Sequence, residues 1–420
     1  MDIKKTRQIL NEVLGQIKPG KDYEENIFQK TKLVIEKINK NNIGAKAVLG
    51  GSGAKGTWLK TFDADVFVLF DYKRYSGKSS ELSEILEKIL KKSFKKIIRL
   101  HGSRDYFQLK EKEFTIEIVP ILDIKKASQA KNITDISPLH SRWVKKHKKL
   151  VNEMKLTKQF CTCNNVYGAE SYINGFSGYV CEILTVYYGS FQALLKNAQG
   201  WKEKTVIDVG KYYKNQDVFK IVNKSKLNSP IIIIDPVQKE RNASAAMSFE
   251  KFDNFRKAAK KFIANPKKSF FEKKDLKDVF REGAKSSTVI SIKVAPLSGK
   301  ADVIGAKILK IYELFKKELE SGGFKLLKSD WQWNKSDDAE IFFSTAKKNL
   351  DPKIVLKGPP LKLKSHVENF RKLHKRTFVK NKKIFAFGQR KFTNPLALAK
   401  SISGSAYVRE KCKSLKIEIL

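Results

Sequence analysis

The stretch GGSGAKGTWLKTFDADVFVLF, from Gly50 to Phe70, decides the fold because it places two acids directly before an apolar strand. One residue separates Asp63 from Asp65, and alternate side chains of a strand share a face. Both carboxylates are therefore predicted to point the same way, with Cα atoms roughly 6.5 Å apart. Neighbouring carboxylates repel each other unless a cation lies between them, and their oxygens suit Mg²⁺. The stretch thus predicts a magnesium site.

A third carboxylate, Glu117, lies in the apolar run Ile116–Val119. If this strand pairs beside that of Asp65, three acids face one point and form the ligand set for two metal ions about 4 Å apart. Two such ions activate an attacking hydroxyl and hold a leaving pyrophosphate. Each motif alone is weak evidence for a metal site, because Asp-x-Asp is common and a lone glutamate in a strand often pairs with lysine.

A glycine and serine turn, Gly51–Gly53, precedes the acids. Backbone N–H groups of such a turn bind phosphate oxygens. Ser52 adds a hydroxyl donor and Lys55 a positive charge. Taken alone the turn is more often an ordinary loop, so the prediction depends on its order along the chain with the carboxylates.

The chain has 420 residues, of which 41% are hydrophobic, so it can bury real cores in several domains. Its 85 Lys and Arg against 44 Asp and Glu leave a net charge of +41, which indicates a polyanionic partner, above all nucleic acid. A general surface bias toward lysine is the alternative, and a membrane surface fits dispersed lysines less well. No apolar run is long enough to span a bilayer, and the four cysteines lack disulfide or zinc spacing, so we expect a cytoplasmic protein with no membrane partner.

Strand and helix patterns predict three domains, with a boundary near the Asn265–Ser269 segment. Residues 1–140 alternate helices with strands, residues 141–265 are mainly helical, and residues 266–420 mix the two. For the middle region the pattern predicts helices over residues 139–161, 176–199, 204–213 and 248–264 and strands over 218–222 and 230–235.

The order of glycine and serine turn, short helix, Asp-x-Asp strand and later carboxylate strand resembles the palm of nucleotidyltransferases of the DNA polymerase β superfamily. Longer segments resemble the archaeal (class I) CCA-adding enzymes, which are tRNA nucleotidyltransferases. The resembling segments are Gly51–Leu59, Asp63–Asp65, Ile116–Pro120, Thr134–His140, Tyr167–Glu170, Gly175–Glu182, Tyr188–Phe191, Thr205–Asp208, Asp235–Val237, Arg241–Asn242 and Arg390–Thr393.

The resemblance implies a multidomain α+β fold: a polymerase β-like palm, a mainly helical central domain that binds nucleotide and RNA end, and a basic α+β C-terminal region that binds tRNA. It implies addition of CCA from CTP and ATP to the 3′ end of tRNA, with Mg²⁺ as cofactor and the acceptor arm as partner. The implied metal ligands and catalytic residues are Asp63, Asp65 and Glu117, and the implied nucleotide contacts are Ser52, Lys55, His140 and Arg241.

Some positions depart from the family. Arginine is usual where Lys55 stands, which would turn a bidentate phosphate contact into a point charge. Lysine can occur where Thr162 stands and tyrosine where Ser171 stands, so their nucleotide contacts would come from neighbours such as Tyr172 or be absent. For His140 a capping or core role is the alternative, and for Arg241 a surface salt bridge.

Two other functions stay open at this point. One is a different terminal nucleotidyltransferase, of poly(A) or oligoadenylate type. Incorporation of nucleotide from CTP would distinguish a CCA-adding enzyme from this alternative. The other is a catalytically silent RNA-binding protein on the same scaffold, against which the three intact carboxylates argue. The sequence leaves open whether both C and A are added and whether the chain forms a homodimer.

Overall fold

The computed structural model describes residues 3–41, 44–60, 63–111, 114–284, 286–335, 337–346 and 349–420. The chain divides into two compact units, Met1–Lys273 and Lys274–Leu420. The three predicted domains, with borders at 140/141 and 265/266, stay a prediction. Within the described residues, no helix is long and apolar enough to cross a bilayer.

The first unit contains both helices and strands. Its helices are α1 (Ile3–Ile17), α2 (Lys21–Lys40), α3 (Gly51–Lys55), α4 (Tyr72–Tyr75), α5 (Leu82–Ser93), α6 (Ser137–Lys145), α7 (Val151–Cys163), α8 (Gly178–Tyr188), α9 (Phe191–Ala198), α10 (Val218–Ile221) and α11 (Phe249–Ala264). Its strands are β1 (Ala45–Leu49), β2 (Ala64–Asp71), β3 (Ile98–Leu100), β4 (Tyr106–Lys110), β5 (Thr115–Asp123), β6 (Thr205–Asp208), β7 (Ile231–Asp235) and β8 (Gln238–Asn242).

A five-stranded sheet in the order β1-β2-β5-β4-β3 carries the predicted acids. Strands β2 and β5 run parallel, while the other neighbours are antiparallel. On β2, Val66, Val68 and Phe70 are fully buried, and they share one core with apolar residues of α2 and α5. Because side chains alternate along a strand, Asp65 lies on the opposite face. Helices α2 and α5 therefore cover one face and leave the other for the site.

The rest of the first unit packs α1, α7, α8, α9 and α11 around an aromatic core. Each of the two long helices predicted here consists of two shorter ones. The range 139–161 contains parts of α6 and α7, and the range 176–199 contains α8 and α9. Gly189, between α8 and α9, has a φ of 80°. A glycine after a helix in this left-handed conformation is a common helix end.

Two element predictions in this region were wrong. Residues 204–213 do not form a helix, because Val206 and Ile207 pair in parallel with Ile232 and Ile233 of β7. The segment predicted as a strand over 218–222 begins instead with the short helix α10, whose N-cap Asp217 accepts a hydrogen bond from the Phe219 N–H. Strand β8 then completes a three-stranded sheet in the order β6-β7-β8.

The second unit is an α+β body rich in strands. Its helices are α12 (Leu276–Gly283), α13 (Ala301–Ser321), α14 (Lys364–Leu373), α15 (Pro395–Ser403) and α16 (Ala406–Arg409). Its strands are β9 (Ser287–Ala295), β10 (Leu326–Gln332), β11 (Ala339–Ala346), β12 (Lys353–Pro360), β13 (Thr377–Lys380), β14 (Lys383–Gln389) and β15 (Ser414–Ile419). They form an antiparallel sheet β10-β11-β9-β15 and a smaller sheet β12-β14-β13.

Candidate active site

Asp65 and Glu117 are direct neighbours across the parallel pair β2 and β5. Residues in register on adjacent strands share a face, with strands about 4.8 Å apart. Glu117 also accepts a hydrogen bond of 2.8 Å at Oε1 from Nε2 of Gln108, its register partner on β4. The prediction that the two acid-bearing strands pair is therefore confirmed.

The Gly51–Gly53 turn lies against Asp65 and forms the start of α3. The Gly50 N–H donates to the Asp65 carbonyl at 2.7 Å, and the Ser52 N–H donates to the Asp65 carboxylate. Gly51 has a φ of 51°, and a Cβ at this position would lie 1.7 Å from Oδ2 of Asp65. Only glycine allows the turn to come this close to the carboxylate.

The surroundings of Asp65 disfavour its charged form. Burial, followed by the neighbouring Glu117, raises the pKa of Asp65 to about 7, and Asp63 contributes in the same direction. Lys55 and the Ser52 N–H oppose this rise. The pair of carboxylates is thus a desolvated site of concentrated negative charge.

Asp63 lies in the exposed segment just before β2, so the alternation of a strand does not orient it as predicted. Among the residues that the structure describes, no three His, Cys, Asp or Glu side chains gather closely enough to hold a metal ion. The structure places Asp65 and Glu117 together, and the role of all three acids as metal ligands stays a prediction.

Lys55, at the end of α3, belongs to a buried charge cluster centred on Glu182 of α8. The Glu182 carboxylate accepts from Lys55 Nζ at 2.8 Å, from Lys158 Nζ of α7 at 2.7 Å and from the Thr57 hydroxyl at 2.6 Å. Despite full burial, the two ammonium groups and their hydrogen bonds hold the pKa of Glu182 at about 2. Two lysines on one carboxylate leave the cluster with one net positive charge.

His140 and Arg241 meet at a second buried carboxylate, Asp235, at the end of β7. Its Oδ2 accepts from Arg241 Nη1 at 2.7 Å and lies 3.2 Å from Nε2 of His140. The Tyr179 hydroxyl donates to Oδ1 at 3.2 Å, and the Tyr179 ring stacks on His140 with centroids 3.9 Å apart. Burial, ahead of the opposing carboxylate, lowers the pKa of His140, which favours the neutral imidazole.

The remaining predicted nucleotide contacts lie near α7 and α8. Tyr172 is buried in the turn before α8, and Ser171 beside it is exposed. The Thr162 hydroxyl donates to the Lys158 carbonyl within α7. Contact of Tyr172 with nucleotide stays a prediction.

Sequence reasoning gave Glu182, Lys158 and Gln108 no role at the site. One signal was present for Glu182: an acid in the otherwise apolar stretch Val180–Thr185 needs a buried partner. Lys158 and Gln108 carry no such signal, because each is an ordinary polar residue of an amphipathic segment.

Comparison with solved structures shows the same fold over about two thirds of the chain. A cytoplasmic RNA terminal U-transferase matches with a TM-score of 0.51 at 14% identity, covering 65% of this chain and 99% of that chain. A poly(U) polymerase matches with a TM-score of 0.52 at 14% identity, covering 65% and 100%.

Three family models match successive parts of the sequence. A nucleotidyltransferase domain matches residues 31–140, a tRNA nucleotidyltransferase second domain matches residues 152–272, and a CCA-adding enzyme C-terminal domain matches residues 285–410.

Relatives with the same printed name match much of the chain. A CCA-adding enzyme of Methanocaldococcus jannaschii is 31% identical over 418 residues, covering 94% of this chain and 90% of that protein. One of Sulfurisphaera tokodaii is 28% identical, covering 94% and 92%. One of Nanoarchaeum equitans is 43% identical over 239 residues, which cover 56% of this chain and 60% of that protein. With its paired carboxylates beside the Gly51–Gly53 turn, the chain belongs to the archaeal-type CCA-adding enzymes, a family of tRNA nucleotidyltransferases.

Proposed function

We propose that this chain adds CCA to the 3′ end of tRNA from CTP and ATP, without a nucleic-acid template and with release of pyrophosphate. The observation that supports this most directly is the register pair of Asp65 and Glu117, with the Gly51–Gly53 turn against it. Membership of the family supplies the substrate classes, tRNA and nucleoside triphosphates.

The carboxylate pair fits a divalent cation. Burial and mutual repulsion raise the pKa of Asp65 to about 7, and a cation between the two acids would remove that penalty. Asp65 and Glu117 would hold it, with Asp63 as a further ligand. The chemistry that such ions supply when bound is acidification of the attacking hydroxyl and neutralisation of charge on the triphosphate.

The residues around the turn support binding of the triphosphate. The Ser52 hydroxyl lies at the start of α3, and Lys55 at its end. Because Lys55 belongs to a buried cluster with one net positive charge, the anionic triphosphate balances that charge when it binds. We infer that Ser52 and Lys55 hold phosphate oxygens, and that Glu182 keeps Lys55 in place.

The cluster at Asp235 supports recognition of the incoming base. Arg241 is partly exposed, and its guanidinium is held by a fully buried carboxylate. A fixed guanidinium presents donors in a planar fork that suits the acceptor atoms of a base. We infer that Arg241 reads C or A together with the RNA end, and that His140 contacts phosphate or sugar.

The test is incorporation of labelled CMP and AMP into tRNA lacking its CCA end, with Mg²⁺ and no template. We expect the wild-type chain to add C, C and A, and Asp65→Asn or Glu117→Gln to reduce the rate at least about 1,000-fold. Asp123→Asn is the matched control, because Asp123 lies exposed at the far end of β5. Incorporation of AMP alone would favour an A-adding enzyme, and RNA binding without incorporation would favour the silent alternative.

A further inference from the structure

An aromatic and basic surface lies outside the site described above, on the segment between β6 and β7. It borders a cavity of about 500 Å³ lined by Tyr212, Tyr213, Ile221, Lys226 and Lys239, among others. We name it the Tyr212 platform, after its exposed tyrosine.

Tyr212 is preorganised. Its hydroxyl donates to the Pro236 carbonyl at 2.6 Å, and its ring lies directly on Gly210, where an added Cβ would come within 2.4 Å of the ring. The side chain is nevertheless 43% exposed. The non-glycine residues Lys211 and Asn215 take φ values of 53° and 61°, so local strain accompanies this loop shape. A fixed, exposed ring loses little conformational entropy when a partner stacks on it.

The neighbouring Tyr213 is held as firmly. Its N–H donates to Oδ2 of Asp208 at 2.8 Å, and its hydroxyl donates to the Lys239 carbonyl at 2.9 Å. These bonds tie the loop to β6 on one side and to β8 on the other. The platform is therefore part of the small sheet and does not depend on a partner for its shape.

The surface carries more lysines than acids, with Glu240 as an acid among the cavity-lining residues. Residues 210–228 contain five lysines and a single acid, Asp217. All five lysines are exposed, as are the apolar side chains Phe219 and Ile221. Aromatic faces among dispersed cations are the pattern of a groove for single-stranded nucleic acid, in which bases stack and phosphates meet lysine.

The platform adjoins the Asp235 cluster through the chain itself. Pro236, which accepts the Tyr212 hydrogen bond, directly follows Asp235, and β8 carries both Lys239 and Arg241. A strand of RNA whose end reaches Arg241 thus has the platform beside it. An acidic peptide would use the lysines but has no need of a rigid, exposed ring.

We propose that Tyr212 stacks on a base of the RNA strand close to its 3′ end, while the surrounding lysines bind that strand's phosphates. The proposal rests on the proposed function, since it takes the RNA substrate as partner. In this proposal the platform binds the substrate strand and takes no part in the chemistry at Asp65.

The experiment measures the Kd of tRNA lacking its CCA end by fluorescence anisotropy. Tyr212→Ala is expected to raise this Kd about 5- to 100-fold, the loss expected for one stacked base, whereas Tyr212→Phe keeps the ring and stays within about threefold. Tyr187→Ala, which removes a tyrosine that is 44% exposed on α8, is the matched control and should leave Kd unchanged. Thermal unfolding checks that each variant is folded.

A second set of RNAs, with an abasic site at each of the last unpaired positions in turn, identifies the stacked base. For the wild-type chain, one abasic position should raise the Kd as much as Tyr212→Ala raises it with intact RNA. For the Tyr212→Ala variant, the same abasic position should not raise the Kd any further. Equal Kd values for Tyr212→Ala and wild type, or abasic effects that are the same in both, would overturn the proposal. An acidic peptide that competes with RNA for the wild-type chain is a further control. If Tyr212→Ala weakens binding of this peptide as much as it weakens binding of RNA, the proposal is overturned too. If wild type fails to incorporate CMP, the proposed function fails instead.

Discussion

Gly51 sets the distance between the Gly51–Gly53 turn and the Asp65 carboxylate. Its φ of 51° is open to few residues other than glycine, and any Cβ would overlap the Asp65 carboxylate. The same residue type at Gly56, also with a positive φ of 71°, has no atom within 4 Å of an added Cβ. The two glycines thus share a conformation and differ in their surroundings.

This difference gives a matched prediction. Gly51→Ala should lower kcat for CMP addition about 100-fold, because displacement of a catalytic group by about 1 Å costs that much. Gly56→Ala carries the same backbone strain, about 1 kcal/mol, and should keep its kcat. Steady-state kinetics and thermal unfolding of both variants test this, and equal kcat values would contradict it.

Asp235 acts through the side chains it holds. Asp235→Asn keeps the shape but loses the charge that fixes Arg241, so we expect KM for CTP to rise about 10-fold with a smaller change in kcat. Asp253→Asn removes an exposed carboxylate that pairs with another arginine, the partly exposed Arg256, and serves as control. A KM shift of the same size in both variants would argue against base recognition at Arg241.

At the scale of elements, α3 is joined to α7 and α8 by the ion pairs of Glu182. The connection spans 127 residues of sequence between Lys55 and Glu182. Because the carboxylate is fully buried, removal of its charge leaves two ammonium groups without the carboxylate to which both are hydrogen-bonded. The cluster should therefore matter for stability as well as for triphosphate binding.

The pH dependence of stability follows from the pKa of Glu182. Folding lowers that pKa from 4.5 to about 2, so the ion pairs stabilise the fold fully above about pH 4.5 and lose their effect as the pH falls to 2. Glu182→Gln should lower the free energy of unfolding by about 3 kcal/mol at pH 7 and flatten its decline between pH 4.5 and 2.

Urea unfolding over a pH series measures both effects. Glu36→Gln, which removes an exposed i,i+4 partner of Lys32, should change the free energy of unfolding by less than about 0.5 kcal/mol. If the free energy of unfolding declines with the same slope between pH 4.5 and 2 in wild type and in Glu182→Gln, other groups control acid unfolding.

At the scale of the whole molecule, we expect the net charge of +41 to contribute most of the affinity for RNA. Binding of tRNA should weaken at least about 1,000-fold between 50 and 200 mM salt, because each phosphate that is neutralised releases counterions. Binding of CTP involves three phosphates and should have a much shallower slope. Anisotropy titrations over a salt series test this, and similar slopes for the two ligands would contradict it.

Much of the fold could be predicted because local patterns act over a few residues. Apolar residues at helical spacing before Pro19–Gly20 are typical of a helix, and the structure forms α1 over Ile3–Ile17. The apolar run after Asp65 predicted β2, and the acid in an apolar run at Glu117 predicted β5. Their pairing was the condition for bringing the carboxylates together on one face, and the structure shows that they pair.

The partners of charged side chains could not be predicted in the same way. Sequence assigned Lys55 to phosphate, while the folded chain pairs it with Glu182. It assigned His140 and Arg241 to nucleotide without indicating that one carboxylate, Asp235, orients both. Residues 204–213 have a helical pattern, yet Thr205–Asp208 form a strand because an apolar neighbour, β7, is available to pair with them.

By itself the sequence determined the glycine and serine turn, the strands that carry Asp65 and Glu117, and the family, since these depend on residue types and short spacings along the chain. Only the tertiary structure decided which buried charges neutralise each other, how closely Gly51 approaches Asp65, and that Tyr212 lies rigid and exposed on Gly210. The physical reason is that strand pairing and the burial of charge depend on residues that are remote in sequence, and their free energy is gained only when the chain has folded.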